Sequence, residues 1–198
     1  MVWPHANKNL LESLSNHFWS NYFQRSLGIL VFIVLTAQVF IGAFRKRLSD
    51  KFGQWVLGVH LLQGKILYGL ILAHSISYLF YMYFFTGKIN PFYIFTDFCL
   101  LCEQRRELFV SMGRIAFIFL NLTIATAIFR HAKAMVGNWN YIHKINYIIF
   151  FMISLHFYFV GSDIKYLSIK ILFYFCNLLV FSTVVAKTIP LIKKFRLK

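Results

Sequence analysis

Two stretches decide the fold: residues 55–85, WVLGVHLLQGKILYGLILAHSISYLFYMYFF, and residues 140–161, NYIHKINYIIFFMISLHFYFVG. Each is apolar over a length that crosses an ~30 Å hydrocarbon layer as a helix. Each also carries two histidines, His60 and His74 in the first and His143 and His156 in the second. An ionisable ring at membrane depth is costly and turns toward a bundle interior, so four of them call for a partner other than lipid.

Outward from these stretches the pattern repeats. Apolar runs at 27–44, 108–129 and 166–188 bring the number of expected spans to five. The composition agrees: 59% of the 198 residues are hydrophobic, 14% are charged, and 24 are Phe. The expected class is an all-α integral membrane protein, a bundle of about five transmembrane helices with an N-terminal interfacial helix. A net charge of +15 suggests nucleic acid in a soluble chain, but here the basic residues lie mainly between and after the apolar runs. They set topology, and membrane lipid rather than nucleic acid is the expected partner.

The chain divides into an N-terminal segment 1–24, a membrane domain 25–190 and a basic tail 191–198. In the first segment Leu10, Leu11, Leu14, Phe18 and Tyr22 recur at helical spacing beside Trp19, the pattern of an interfacial helix. It lacks the apolar core and small-residue cleavage site of a signal peptide.

Orientation follows from the cations. Arg45, Lys46, Arg47 and Lys51 follow the first span, Arg130 and Lys133 the third, and Lys187, Lys193, Lys194, Arg196 and Lys198 close or follow the fifth. All three groups fall on one side, which the positive-inside rule makes cytoplasmic, with the N-terminus outside. A bacterial inner membrane is the expected location.

This topology gives depth. His60 and His143 share the inner level, His74 and His156 the outer, and at ~1.5 Å per residue the levels are roughly 20 Å apart on both helices. Azimuth is stricter. At ~3.6 residues per turn His74 returns to within about 40° of His60, whereas His156 falls about 140° from His143 unless the helix is locally tightened. A lone membrane histidine is more often an ordinary interhelical hydrogen-bond donor, but four at two matched depths favour two bis-histidine haems. Zinc fits less well, because neither pair has the three- or four-residue helical spacing of metal ligands.

The histidine spacing resembles that of the ferric reductase-like transmembrane domain shared by NADPH oxidases and ferric reductases. The stretch from Arg130 to Phe159, with Trp139 to His143 entering a helix that carries Leu155, His156 and Phe157, looks like the haem-binding membrane subunit of the periplasmic methionine sulfoxide reductase system. The resemblance covers about residues 20 to 188 and implies haem b, one or two groups, with the four histidines as axial ligands. His74, His143 and His156 match the smaller subunit, and His60 adds an oxidase-like inner site.

About ten residues follow Thr188, too few for a flavin or nicotinamide domain, so the donor is expected to be a separate flavoprotein or a quinol. The acceptor would lie on the outer face: ferric iron, oxygen or a periplasmic reductase. Lys65 and Arg114 are candidate partners of haem propionates, with lipid snorkelling the competing reading. Arg25 and Lys144 have the same two readings. Gln63, Gly64, Gly69, Gly28 and Gly42 mark places where a macrocycle or another helix can approach closely, and helix packing explains most of them equally well.

Cys99 and Cys102, written CLLC, lie between the second and third spans, on the expected outer side. They suit a disulfide or a redox dithiol, or two interface cysteines with no redox role. Cys176 reads as core packing. Two other functions therefore stay open: a dithiol and quinone oxidoreductase centred on Cys99 and Cys102, and a non-redox transporter whose histidines line a polar path.

Overall fold

Backbone amides without water must close their hydrogen bonds within the chain, and helices result. The computed structural model describes the backbone of residues 4–88, 90–96, 98–99, 101, 103–129, 132 and 139–196, with side chains of 4–14, 85, 140 and 190–196 outside the description. The described residues form helices and connecting turns, with no strand. The helices are α1 (Pro4–Phe52), α2 (Trp55–Thr86), α3 (Arg105–Ile128), α4 (Trp139–His143), α5 (Asn146–Val160) and α6 (Leu167–Arg196). Five helical segments are long and apolar enough to cross a membrane, with α4 and α5 together making the fourth. The protein is an all-α membrane bundle.

One element differs from the expected division. Residues 4–24 continue into the first span: α1 runs unbroken from Pro4 to Phe52, about 73 Å at ~1.5 Å per residue. No proline or positive-φ glycine interrupts it after Pro4. Phe18, Trp19, Tyr22 and Phe23 are exposed on this rod, the kind of aromatic girdle that settles at a membrane surface. After α1 the chain reverses at Gly53, whose φ of 102° only glycine adopts without strain. The tight turn makes α2 antiparallel to α1, and the two pack along their length. The second long partnership joins α3 to α5, while α6 packs on α1.

The centre is aromatic. Phe32 of α1 stacks on Phe150 and Phe157 of α5 at ring distances of 5.5 and 4.7 Å, and Phe173 of α6 closes the group at 5.9 Å from Phe32. Phe32 and Phe150 are wholly buried. Cys176 is buried in the same core as a free thiol. Buried hydroxyls are satisfied locally: Thr36 donates to Phe32 O and Thr183 to Leu179 O, each one turn back. Between helices, Tyr68 donates to Asn121 Oδ1 at 2.8 Å and Ser154 to Asn177 Oδ1 at 2.6 Å.

Charges gather at the ends of the bundle. Lys187 of α6 lies 5.0 Å from the Phe44 ring, within electrostatic reach of Arg47, so the basic C-terminal ends of α1 and α6 meet. At the opposite end Arg25 forms a two-point ion pair with Asp163, in the 3-10 turn Ser162–Lys165 that links α5 to α6. Arg45, Arg47 and Lys187 thus gather at one end; Arg130, Lys133 and the side chains of Lys193, Lys194, Arg196 and Lys198 lie outside the described residues.

Candidate functional site: the histidine levels

The break between α4 and α5 places the site. Lys144 N–H donates to Tyr141 O, Ile145 N–H to Ile142 O and Tyr147 N–H to Lys144 O, all three-residue bonds of the 3-10 type. Each tightened residue turns about 120° instead of about 100°, so three of them reduce the mismatch between His143 and His156 from about 140° to about 80°. Neither glycine nor proline marks residues 141–147.

Across the bundle the rings pair by depth. His60 of α2 and His143 at the end of α4 are within electrostatic reach of each other, and so are His74 and His156. Yet α2 packs chiefly on α1, and α5 chiefly on α3; the histidine-bearing helices are not a close-packed pair. The paired rings therefore come from helices that each pack chiefly on a different neighbour.

Glycines stand against three of the four rings. A Cβ on Gly42 would stand 2.9 Å from His60 Cε1, and one on Gly28 3.1 Å from His74 Cε1. Fourteen residues separate Gly28 from Gly42, as fourteen separate His60 from His74, so antiparallel α1 and α2 match glycine to histidine at both levels. A Cβ on Gly113 of α3 would come within 2.6 Å of His156 Nδ1. By contrast, Gly58 and Gly69 have open space around them. The match of intervals is a signal the sequence carries for Gly28 and Gly42. Gly113 has no such signal in α3 alone.

Ring nitrogens are held as well. His74 Nδ1 lies 3.0 Å from Gln24 O and His156 Nδ1 2.9 Å from Phe109 O. A carbonyl only accepts, so both rings are Nδ1–H donors, and when neutral each keeps an unprotonated Nε2. His143 Nδ1 stands 3.3 Å from the Asn146 carboxamide, which also touches Thr123 Oγ1 at 3.0 Å. His60 Nδ1 is buried without a hydrogen-bond partner, although its backbone carbonyl accepts from Gln38 Nε2 at 3.1 Å.

The cations divide between levels. Arg45, exposed on α1, acts electrostatically on both His60 and His143. Arg114, 7% exposed, acts on His156 and lies 4.2 Å from the Tyr93 ring centre. Lys65 is exposed on α2, and exposed Lys144 lies 5.0 Å from the Tyr141 ring. Arg25 is engaged by Asp163. Arg45, Gly113, Asn146 and the carbonyls of Gln24 and Phe109 join the site only through the fold.

Cys99 is disulfide-bonded, and its backbone N–H donates to the buried Ser111 hydroxyl at 2.9 Å, two residues before Gly113. Cys102 lies outside the described residues. Among the described residues no three His, Cys, Asp or Glu side chains converge on a bare-ion site. Two-histidine pairs suit a metal whose remaining ligands come from a macrocycle. Comparison of the chain with family models, with curated proteins and with solved structures finds no match in any of the three.

Proposed function

We propose that the chain is a membrane electron carrier built around b-type haem, which His60 and His143 would hold at one level and His74 and His156 at the other. One observation carries the reading. Two histidine pairs, His60 with His143 and His74 with His156, lie within electrostatic reach across helices that are not packed chiefly on each other, with Nδ1–H donation at His74 and His156 leaving Nε2 for a metal. Glycines 28, 42 and 113 supply the close approach that the rings need, and the resemblance to the ferric reductase-like membrane domain points the same way.

Haem supplies one-electron chemistry when bound. The chain's own residues supply ligation, depth and charge. The Gln24 and Phe109 carbonyls orient their rings, and Arg45 and Arg114 set the local potential, each near one level. With haem bound, a donor flavoprotein or quinol would be met on the Arg45 side and an acceptor, ferric iron, oxygen or an outer-face reductase, on the Arg114 side. The N-terminus then lies outside and the C-terminus in the cytoplasm, most simply in a bacterial inner membrane.

The test is a reduced-minus-oxidised absorption spectrum of the purified full chain, expressed with adequate haem. Two reducible bis-histidine components are expected. A folded, helical protein without reducible haem bands overturns the reading.

A second reading places the first acceptor within the chain, at the Cys99 disulfide, and is favoured by the anchoring of Cys99 on Ser111 beside the His156 level. Two electrons and two protons would reduce the disulfide to thiols. Loss of electron delivery in Cys99→Ser with haem retained supports it, and unchanged delivery removes it.

A further inference from the structure

Thr123, Asn146 and His143 form a polar chain in which the number of protons decides the direction of each hydrogen bond. Thr123 Oγ1 lies 2.9 Å from Leu120 O and 3.0 Å from Asn146 Oδ1, and Asn146 Nδ2 is 3.3 Å from His143 Nδ1. If the carboxamide oxygen faces Thr123, the threonine has two acceptors before it. A hydroxyl has one proton, so one of these contacts is left as two facing lone pairs. The same orientation aims an N–H at His143 Nδ1, which then accepts and moves the ring's proton to Nε2.

Turning the carboxamide over exchanges its O and N with little change in shape. Every contact then has one proton. His143 Nδ1–H donates to Asn146 Oδ1, Asn146 Nδ2–H donates to Thr123 Oγ1, and Thr123 O–H donates to Leu120 O. Thr123 is 1% exposed, so water does not relieve the alternative. The turned carboxamide also gives His143 the tautomer that carbonyls impose on His74 and His156.

We infer that Asn146 and Thr123 are positioning residues for His143: the carboxamide presents Oδ1 to the ring and Nδ2 to Thr123, holding His143 as the Nδ1–H tautomer with Nε2 available to a metal. The significance for haem rests on the function proposed above; the tautomer does not. An acceptor on a ligating imidazole's N–H raises ligand basicity and favours the oxidised iron.

Two measurements on the full chain test this. In haem-free protein labelled with nitrogen-15 histidine, with the His143 signals identified by their loss in His143→Gln, Nδ1 should be of the protonated type. An unprotonated Nδ1 with the proton on Nε2 overturns the inference, whatever the haem content. In haem-loaded protein, Asn146→Leu should move the midpoint of the His60 and His143 component to more positive values and leave the other component in place. Thr123→Val should move it the same way by less, and Thr123→Ser should restore it. Wild-type midpoints in both Asn146→Leu and Thr123→Val overturn it. Should Asn146→Leu fail to fold, the Thr123 pair and the nitrogen spectrum decide. A chain with no haem bands defeats the haem reading and leaves the nitrogen spectrum to judge the tautomer.

Discussion

Gly113 of α3 lies directly against the His156 ring: a methyl group on its Cα would stand 2.6 Å from Nδ1, the atom that also meets Phe109 O at 2.9 Å. Gly113→Ala therefore forces the ring away from the carbonyl that orients it. Losing such an outer partner typically reduces metal affinity about 10–100-fold. Haem titration should show that loss for the His74 and His156 component alone. Gly69→Ala, with open space around it, should bind as the wild type and gain up to about 1 kcal/mol of helix stability. Equal losses in the two variants would remove the steric argument.

The pairing by depth makes a sharper demand. His74→Ala and His156→Ala should delete the same spectral component, and His60→Ala and His143→Ala the other, because electrostatic contact joins the rings in those combinations. Redox-resolved spectra of the four variants provide the check. A shared component between His74 and His143 would mean that the levels cross.

Much of this arrangement is legible before the structure. Hydropathy finds five spans because backbone satisfaction in lipid leaves helices few alternatives. The fourteen-residue interval places His60 and His74 on one face without help from the fold. His143 and His156 do not yield in that way. Their relation depends on tightened bonds at Lys144, Ile145 and Tyr147, where no glycine or proline marks a break. Nor does local sequence reveal that Asn146 touches His143 and Thr123 together, since Thr123 arrives from α3. The continuity of α1 is hidden in the sequence for a related reason: a polar stretch before an apolar run lowers hydropathy without interrupting a helix.

Arg25 and Asp163 fasten α1 to the α5–α6 connection through two hydrogen bonds, with side chains 31% and 16% exposed. Partial exposure weakens the pair, but charged hydrogen bonds exceed neutral ones, so Arg25→Ala should cost about 1–2 kcal/mol. Thermal unfolding in detergent measures it. Exchanging the residues, with Arg25→Asp and Asp163→Arg together, should recover part of the loss. A double variant no better than the singles would show that the pair contributes little beyond its two separate side chains.

Arg45 and Arg114 offer a test of charge without change of ligand. Arg114 is buried on Tyr93 and acts on His156, whereas Arg45 acts on His60 and His143. A cation beside iron favours the reduced, less positive form. For unit charges roughly 10 Å apart at an effective dielectric near 20, the interaction is about 1–2 kcal/mol. Arg114→Gln should therefore lower the midpoint of the His74 and His156 component, and Arg45→Gln that of the His60 and His143 component by a smaller amount, because exposed Arg45 is screened by water and salt. Arg114→Lys keeps the charge but loses the guanidinium contact with the Tyr93 ring, so it should retain most of the wild-type midpoint. Potentiometric titration at low and high salt separates these effects. Raising salt should shrink the Arg45 effect and spare that of Arg114. A shift in both components from either single variant would mean that the charges act through the fold rather than through their own level.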